Sequence, residues 1–308
     1  MAGGTQQIPS GADAADLSRT RTRLRVTGED RVSFLQGQCT NDVRRLSVGE
    51  SCYAAFLNAK GKMRGEGHII CLPDEFLLEA SPGLAPSLEK FIITEDVSIE
   101  DVSGTMGEWL IIGSTVGTAL RAVREVDDAA RRDSAPYHGA KVDLPANAVT
   151  FPHPLGLGVL GGISPTTTVS DEMLEVIRIE AAVPKWGVDM DETTIPNEAG
   201  LEARAINYEK GCYIGQETIA RIKTYGHVNR RLVQMGIGSP GSATVPVAVV
   251  GGKILAGDRD VGQVTSAVFS SRLGKPLALG YVRREFAAAG TKLTCNNEPV
   301  EVLRVCGE

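Results

Sequence analysis

VGQVTSAVFSSRLGKPLALGYV, Val261 to Val282, is the stretch on which the fold turns. It reads as two short strands with apolar residues at alternating positions, parted by a break that carries Gly274 and Pro276. The same texture surrounds it. RLVQMGI (231–237), VPVAVV (245–250), TKLTC (291–295) and VEVLRV (300–305) are of strand length and separated by Gly, Pro, Asp and Asn. Several short strands at close spacing predict a small antiparallel β-barrel. The Gly- and Ser-rich GIGSPGSA (236–243) marks its expected start, so 236–308 is assigned to a C-terminal barrel domain.

Upstream the texture is mixed, and the expected class for the whole chain is α+β. TRTRLRVT (20–27) reads as a strand, and Arg31–Leu46 as a short helix followed by a turn. CYAAFLN and GHIICL flank the turn Asn58-Ala59-Lys60-Gly61 and suggest a hairpin. EFLLEA and EWLIIG read as further strands, GLAPSLEKFII and 117–131 as helices, and KVDL and AVTF as candidate strands. A helix is expected over 170–183, started by Thr168 with Asp171 and ended by Pro184. Gly156–Gly161 fits G-x-G-x-x-G, but Pro152 and Pro154 precede it and Pro165 follows, so a crossing loop is expected there, not a dinucleotide site. Residues 1–18 read as a loose polar tail without a secretory signal, and 19–235 as one α+β region of two interleaved subdomains.

The chain has 308 residues, a net charge of −6 and a pI near 5.4, which argues against a nucleic-acid coat or an anionic membrane surface as partner. No apolar run is long enough to span a bilayer. The six cysteines (39, 52, 71, 212, 295 and 306) form no Cys-x-x-Cys pair, which suggests reduced thiols in a cytoplasm. The histidines at 68, 138, 153 and 227 lack metal-ligand spacing, so no metal site is expected.

Three places could carry chemistry. On the helix SDEMLEVIRIEAAV, Asp171, Glu175 and Arg178 project away from a broad apolar arc, whereas Glu180 falls inside it, between Met173 and Ile177. A carboxylate there is desolvated and needs a partner, either an arginine in a buried ion pair or a ligand with paired N–H donors such as a pterin or guanine edge. In KGCYIGQE (Lys210–Glu217), Cys212 lies two residues after Lys210 and just ahead of an expected helix. A cation and a helix N-terminus both favour thiolate, so Cys212 is either a reactive thiol or a packed turn residue. Arg221, Lys223, His227, Arg230 and Arg231 form either a solvated cationic face or a rim for an anion such as a glutamyl tail.

KGCYIGQE resembles the signature of the YgfZ family of folate-binding proteins linked to iron–sulfur cluster assembly and repair. FLQGQCTNDV (34–43), FLNAKGK (56–62), RIEAAVPKWGVDMDETTIPNEAGL (178–201) and the opening stretch resemble that family in the same order. More distantly they resemble the T-protein of the glycine cleavage system, an aminomethyltransferase. The resemblance implies a three-part ring around tetrahydrofolate or a one-carbon derivative, with a C-terminal antiparallel barrel. It implies Glu180 as the pterin contact and Asn58, Lys210, Tyr213, Arg221 and Arg230 as further folate-binding residues, with Cys212 as the reactive thiol. Iron–sulfur client or assembly proteins are the implied partners. T-proteins carry N-x-x-G-G-x-x-D-D after the asparagine, with an aspartate that polarises the folate nitrogen. Here those two acid positions read Gly65 and Glu66. An accessory, thiol-dependent role is therefore expected, with aminomethyl transfer through Glu66, or a folate-binding scaffold alone, as the alternatives.

Overall fold

The computed structural model describes residues 13–112, 148–161, 168–238 and 250–308. Within these, the chain divides into two compact units that alternate along the sequence. The first takes the described residues of 1–56, 64–174 and 209–214, and the second those of 57–63, 175–208 and 215–308. The expected single region 19–235 is thus shared between both units.

The first unit is built on two antiparallel sheets. Strands β1 (Asp13–Asp16), β7 (Glu108–Ile112), β9 (Gly156–Leu160) and β8 (Val149–His153) form one, in the order β1-β7-β9-β8. Strands β2 (Thr22–Thr27), β3 (Ser51–Leu57), β4 (Met63–Cys71), β5 (Phe76–Ala80) and β6 (Ser98–Asp101) form the other, in the order β3-β4-β5-β2-β6. Helices α1 (Arg31–Gln38) and α2 (Leu84–Glu89) accompany this second sheet. Phe34, Leu35, Leu84 and Leu88 pack with Leu24, Phe56, Ile69 and Leu78 into one core. A second core joins Ile70 and Leu77 to Phe151 and Leu160. Burying side chains of this size contributes roughly 1.5–3 kcal/mol each, which is why these apolar strands specify the unit.

Two sequence expectations change here. Asp13–Asp16, assigned to the tail, forms β1 and pairs with β7 from Asp13↔Ile112 to Asp16↔Trp109. Gly156–Leu160 is a strand, not a crossing loop, bonded to β7 and to β8. Its glycines serve packing. A Cβ on Gly158 would stand 2.2 Å from Phe151 Cζ, and one on Gly156 would stand 2.0 Å from the Ile111 carbonyl oxygen. The helix expected at 117–131 and the strand KVDL lie outside the described residues.

The second unit centres on a closed six-stranded barrel in the order β10-β13-β12-β11-β14-β15. Its strands are β10 (Arg230–Ile237), β11 (Lys253–Ala256), β12 (Arg259–Ser270), β13 (Lys275–Arg283), β14 (Lys292–Cys295) and β15 (Glu298–Val305). The register of β10 runs from Arg230↔Arg283 to Gly236↔Leu277, so the barrel begins at Arg230 and the expected boundary at 236 falls inside a strand. Of the expected strand VPVAVV, residues 245–249 lie outside the described residues. β11 had no counterpart in the sequence reading, because KILA is only four residues long.

Helix α3 (Asp171–Glu180) is shorter than the expected 170–183. Ser170, not Thr168, serves its first turn, its hydroxyl accepting from Met173 N at 3.3 Å. The helix stops before Pro184 because Ala182 adopts a left-handed φ of 57°. Its burial runs along the axis more than around it. Ile177, Arg178, Ile179 and Glu180 are all buried, while Met173 is exposed. Arg178, expected on the solvent side, therefore sits inside the second unit. Two short pieces complete it, α4 (Glu202–Ala205) and α5 (Gln216–Tyr225).

Candidate functional site

Lys210 shows how the KGCYIGQE segment is held. Its side chain is buried, and Nζ donates to the carbonyl oxygens of Gln36 at 2.8 Å, Cys39 at 2.6 Å and Asn41 at 2.8 Å. Gln36 and Cys39 close the last turn of α1, whose carbonyls lack intrahelical donors. A cation at that end also meets the negative pole of the helix. The ammonium thus caps α1, with all three protons committed. The structure gives Lys210 this clamping role beside the two expected of it, as a folate contact and as the cation that primes Cys212. Burial lowers its pKa, and the Sγ of Cys39, 4.0 Å away, carries a thiol whose pKa burial raises.

Four residues on, Ile214 N donates to Gly37 O at 3.1 Å. The loop is therefore anchored to α1 on both sides of Cys212, and Cys212 is the one exposed cysteine of the six. Tyr213 turns inward instead. Its ring lies 5.0 Å from Lys210 Nζ, and burial pushes its phenol up to about 12. The phenol is thus buried beside the capping lysine.

In the second unit, Asn58 shapes the turn between β3 and β4. Its Oδ1 accepts from the backbone N of Lys60 at 2.9 Å and of Lys62 at 3.1 Å. This turn abuts the start of α5. A Cβ on Gly215 would stand 2.5 Å from Asn58 O, and one on Gly61 would stand 2.6 Å from Thr218 Cβ. Arg221 pairs with Glu217 at 2.7 Å across one exposed helical turn, an interaction worth roughly 0.3–0.5 kcal/mol. Arg230 bonds Glu198 at 3.0 Å and lies over the Tyr281 ring at 4.4 Å. Arg221 and Arg230 thus have separate partners in place of a shared rim.

Glu180, also in the second unit, ends α3 with its carboxylate sealed to 1% exposure. One oxygen accepts from the Ser270 hydroxyl, and the other accepts from Arg272 Nε at 2.8 Å. The arginine of the expected buried ion pair is thus Arg272. Beside it, Arg178 binds Glu175, Asp189 at 2.7 Å and Ser266 at 2.8 Å, tying α3 to β12.

Sequence reasoning missed a buried charged cluster in the first unit. Arg21 forms a two-toothed pair with Glu66 and also donates to Glu79. Glu79 in turn meets His68 Nδ1 at 2.8 Å. Burial opposes ionisation of Glu79, but Arg21 and His68 outweigh it and hold the carboxyl well below its usual range. Arg23 donates to the carbonyls of Met106, Ser18, Arg21 and Ser103. Glu108 lies 3.7 Å from Arg23 Nη1 with no hydrogen bond to its carboxylate, and burial followed by repulsion from Glu79 raises its pKa. The signal available was a glutamate inside the apolar strand FLLEA facing arginines at alternate positions of TRTRLRV. Among the described residues no group of His, Cys, Asp and Glu could hold a metal ion, and no helix is long and apolar enough to cross a membrane.

Fold and side chains together define a class: a mixed α+β body with a C-terminal closed barrel, and a buried carboxylate where a helix end meets that barrel. Residues 230–303 match the glycine cleavage T-protein C-terminal barrel domain, and residues 6–149 match the GCVT N-terminal domain. The chain belongs to the T-protein-like family. It is similar to a chloroplastic protein of Arabidopsis thaliana named as a transferase, at 26% identity over 94% of this chain and 69% of that one. An uncharacterized protein of Haemophilus influenzae is 28% identical over 82% of this chain and 84% of its own length. An aminomethyltransferase of Thermosynechococcus vestitus is 40% identical over 39% of this chain and 31% of its own. In structure, the glycine cleavage system aminomethyltransferase T of Bartonella henselae superposes with a TM-score of 0.72 at 18% identity, covering 95% of this chain and 85% of that one.

Proposed function

We propose that this protein binds tetrahydrofolate, or a one-carbon derivative of it, and serves as a YgfZ-type accessory factor in the assembly or repair of iron–sulfur enzymes. Cys212 is its reactive thiol, and the cytoplasm its site of action. The observation that carries this reading is the presentation of Cys212: exposed, on a loop pinned by Lys210 and Ile214 to α1. A pinned loop holds a nucleophilic sulfur at a set position without the ordering cost a free loop would add. One cysteine cannot complete a four-thiolate cluster, so the cluster is cargo, met together with thiols of a client or assembly protein.

Folate fits the residues present. A buried carboxylate with two acceptor oxygens, one of them now held by Arg272, can accept paired N–H donors, and the pterin edge offers them side by side once the arginine yields its place. Glu180 would hold that edge. Bound folate would supply one-carbon chemistry; the chain itself orients the ring and excludes water around the carboxylate.

The alternative, aminomethyl transfer, draws on the likeness to aminomethyltransferases but lacks its acid in this chain. At the first acid position, a Cβ on Gly65 would stand 2.7 Å from Ser81 Oγ and 3.0 Å from Leu84 Cδ1, so an aspartate needs both to move. At the second, Glu66 is buried and bound through both oxygens to Arg21. Loss of a placed proton donor or acceptor typically removes 10²–10⁴-fold in rate.

Titration with tetrahydrofolate, comparing wild type with Glu180→Ala, tests the folate site: loss of binding is expected, and unchanged affinity refutes it. Thiol labelling of the native protein should modify one fast cysteine, absent in Cys212→Ser. A Cys212→Ala protein that fully restores iron–sulfur enzyme activity in depleted cells would remove the thiol from the proposal. Methylene-tetrahydrofolate formed from an aminomethyl-lipoyl carrier would favour the transferase instead.

A further inference from the structure

We infer that Arg272 is an internal stand-in for the ligand of Glu180, and that a folate binds by displacing it. Arg272 is then the residue that sets affinity and selectivity at this seat. The inference rests on the folate reading of Glu180.

The end of a helix is an unfavourable place for a carboxylate, because the macrodipole there is negative. Glu180 stands at that position in α3, and its side chain is sealed. Its own main-chain carbonyl already accepts from Gln234 Nε2 at 3.0 Å and Arg304 Nη2 at 2.8 Å. Arg304 thus donates to the backbone of Glu180, and the turn between β12 and β13 serves its carboxylate. From that turn come Ser270, fully buried, and Arg272, whose side chain is 40% exposed. Ser270 is further fixed, its hydroxyl oxygen accepting from Leu273 N at 3.0 Å. Among the described residues Arg272 is the partner that reaches the carboxylate from solvent, and a side chain that exposed can swing back into water without disturbing the strands.

A guanidinium is planar and presents N–H donors in a fork. The 2-amino-4-oxopyrimidine edge of a pterin is planar and presents an N–H and an NH₂ in the same fork. Arg272 holds one carboxylate oxygen through Nε and the Ser270 hydroxyl holds the other, so the pterin edge competes for the Arg272 position with the hydroxyl kept. A ligand must therefore match what Arg272 already supplies. An analogue lacking the 2-amino group offers a single donor, no more than the one Arg272 already supplies, and competes less well than the full fork. Apparent affinity is reduced by the fraction of molecules in which Arg272 occupies the seat.

The test compares wild type, Arg272→Ala, Arg272→Gln and Glu180→Ala as full-length proteins by calorimetric titration with tetrahydrofolate, and by thermal shift with methylguanidinium. Removing the competitor is expected to tighten tetrahydrofolate binding about tenfold in Arg272→Ala. The gain should be smaller in Arg272→Gln, which keeps one N–H donor and guards against loss of folding in the alanine variant. Methylguanidinium should raise the Tm of Arg272→Ala but not of wild type, and should weaken that variant's folate affinity toward the wild-type value. Arg272 variants that bind as wild type or more weakly, while Glu180→Ala loses binding, would overturn the inference and leave the folate reading standing. Unchanged binding in Glu180→Ala would end both.

Discussion

Replacing Lys210 by methionine separates two roles that the sequence left entangled, a clamp and an electrostatic primer for Cys212. Methionine nearly fills the same volume, so the change removes the ammonium without opening a cavity. Three carbonyls lose a donor at once, those of Gln36, Cys39 and Asn41. The Asn41 oxygen keeps a weak one, the Cys39 thiol at 3.2 Å. Two buried orphan carbonyls cost about 1–3 kcal/mol each. Against this stands the desolvation of the ammonium, which the variant no longer carries and which already lowers the lysine's pKa. The net expectation is a loss of about 3 kcal/mol, a fall in Tm of roughly 6–12 °C for a unit of this size. Urea unfolding followed by tryptophan fluorescence measures it. Trp109 lies in β7 of the first unit and Trp186 in the second, so a Trp186→Phe background reads the affected unit alone. The same protein is labelled with a thiol reagent. A clamp predicts that labelling of Cys212 is as fast as in wild type or faster, because the loop loosens. A stability loss below about 1 kcal/mol together with slower labelling would refute the clamp and restore the primer.

Two further substitutions probe the first unit. Burial, with repulsion from Glu79, raises the pKa of Glu108 in the folded state above the value near 4.3 of an unfolded glutamate. Its folded pKa is raised, so its unfavourable contribution is absent below that pH and grows as pH rises toward the folded value. Glu108→Gln should match wild type near pH 4 and be the more stable protein at neutral pH; parallel Tm curves from pH 4 to 8 would contradict this. Gly158→Ala forces a methyl to within 2.2 Å of the Phe151 ring and should cost about 1–3 kcal/mol. Adding Phe151→Leu should recover part of that loss, and a chemical-denaturation cycle that shows no coupling would reject the steric explanation.

Most strands were legible from sequence because alternation is a property of neighbours. Arg230–Ile237, Arg259–Ser270 and Glu298–Val305 each show it, and each became a barrel strand. The errors came where a local signal had a distant cause. Gly156–Leu160 resembled a loop by composition, yet its glycines answer to the bulk of Phe151 and to the close passage of the Ile111 backbone. Arg178 belonged to the polar side of a helical wheel, yet the last turn of α3 is buried all round and Asp189 waits there.

The site divides along the same line. Composition and local order mark Glu180 as a carboxylate in an apolar arc and Cys212 as a thiol in a glycine-bounded loop. Both follow from residues a few positions apart. What each charge does was decided by contacts far along the chain. Lys210 caps a helix 171 residues before it, Glu66 is neutralised by Arg21, and Arg272 reaches Glu180 across 92 residues. A buried charge takes whichever donors and acceptors the packed fold brings within about 3 Å, and no periodicity in a linear sequence encodes that list.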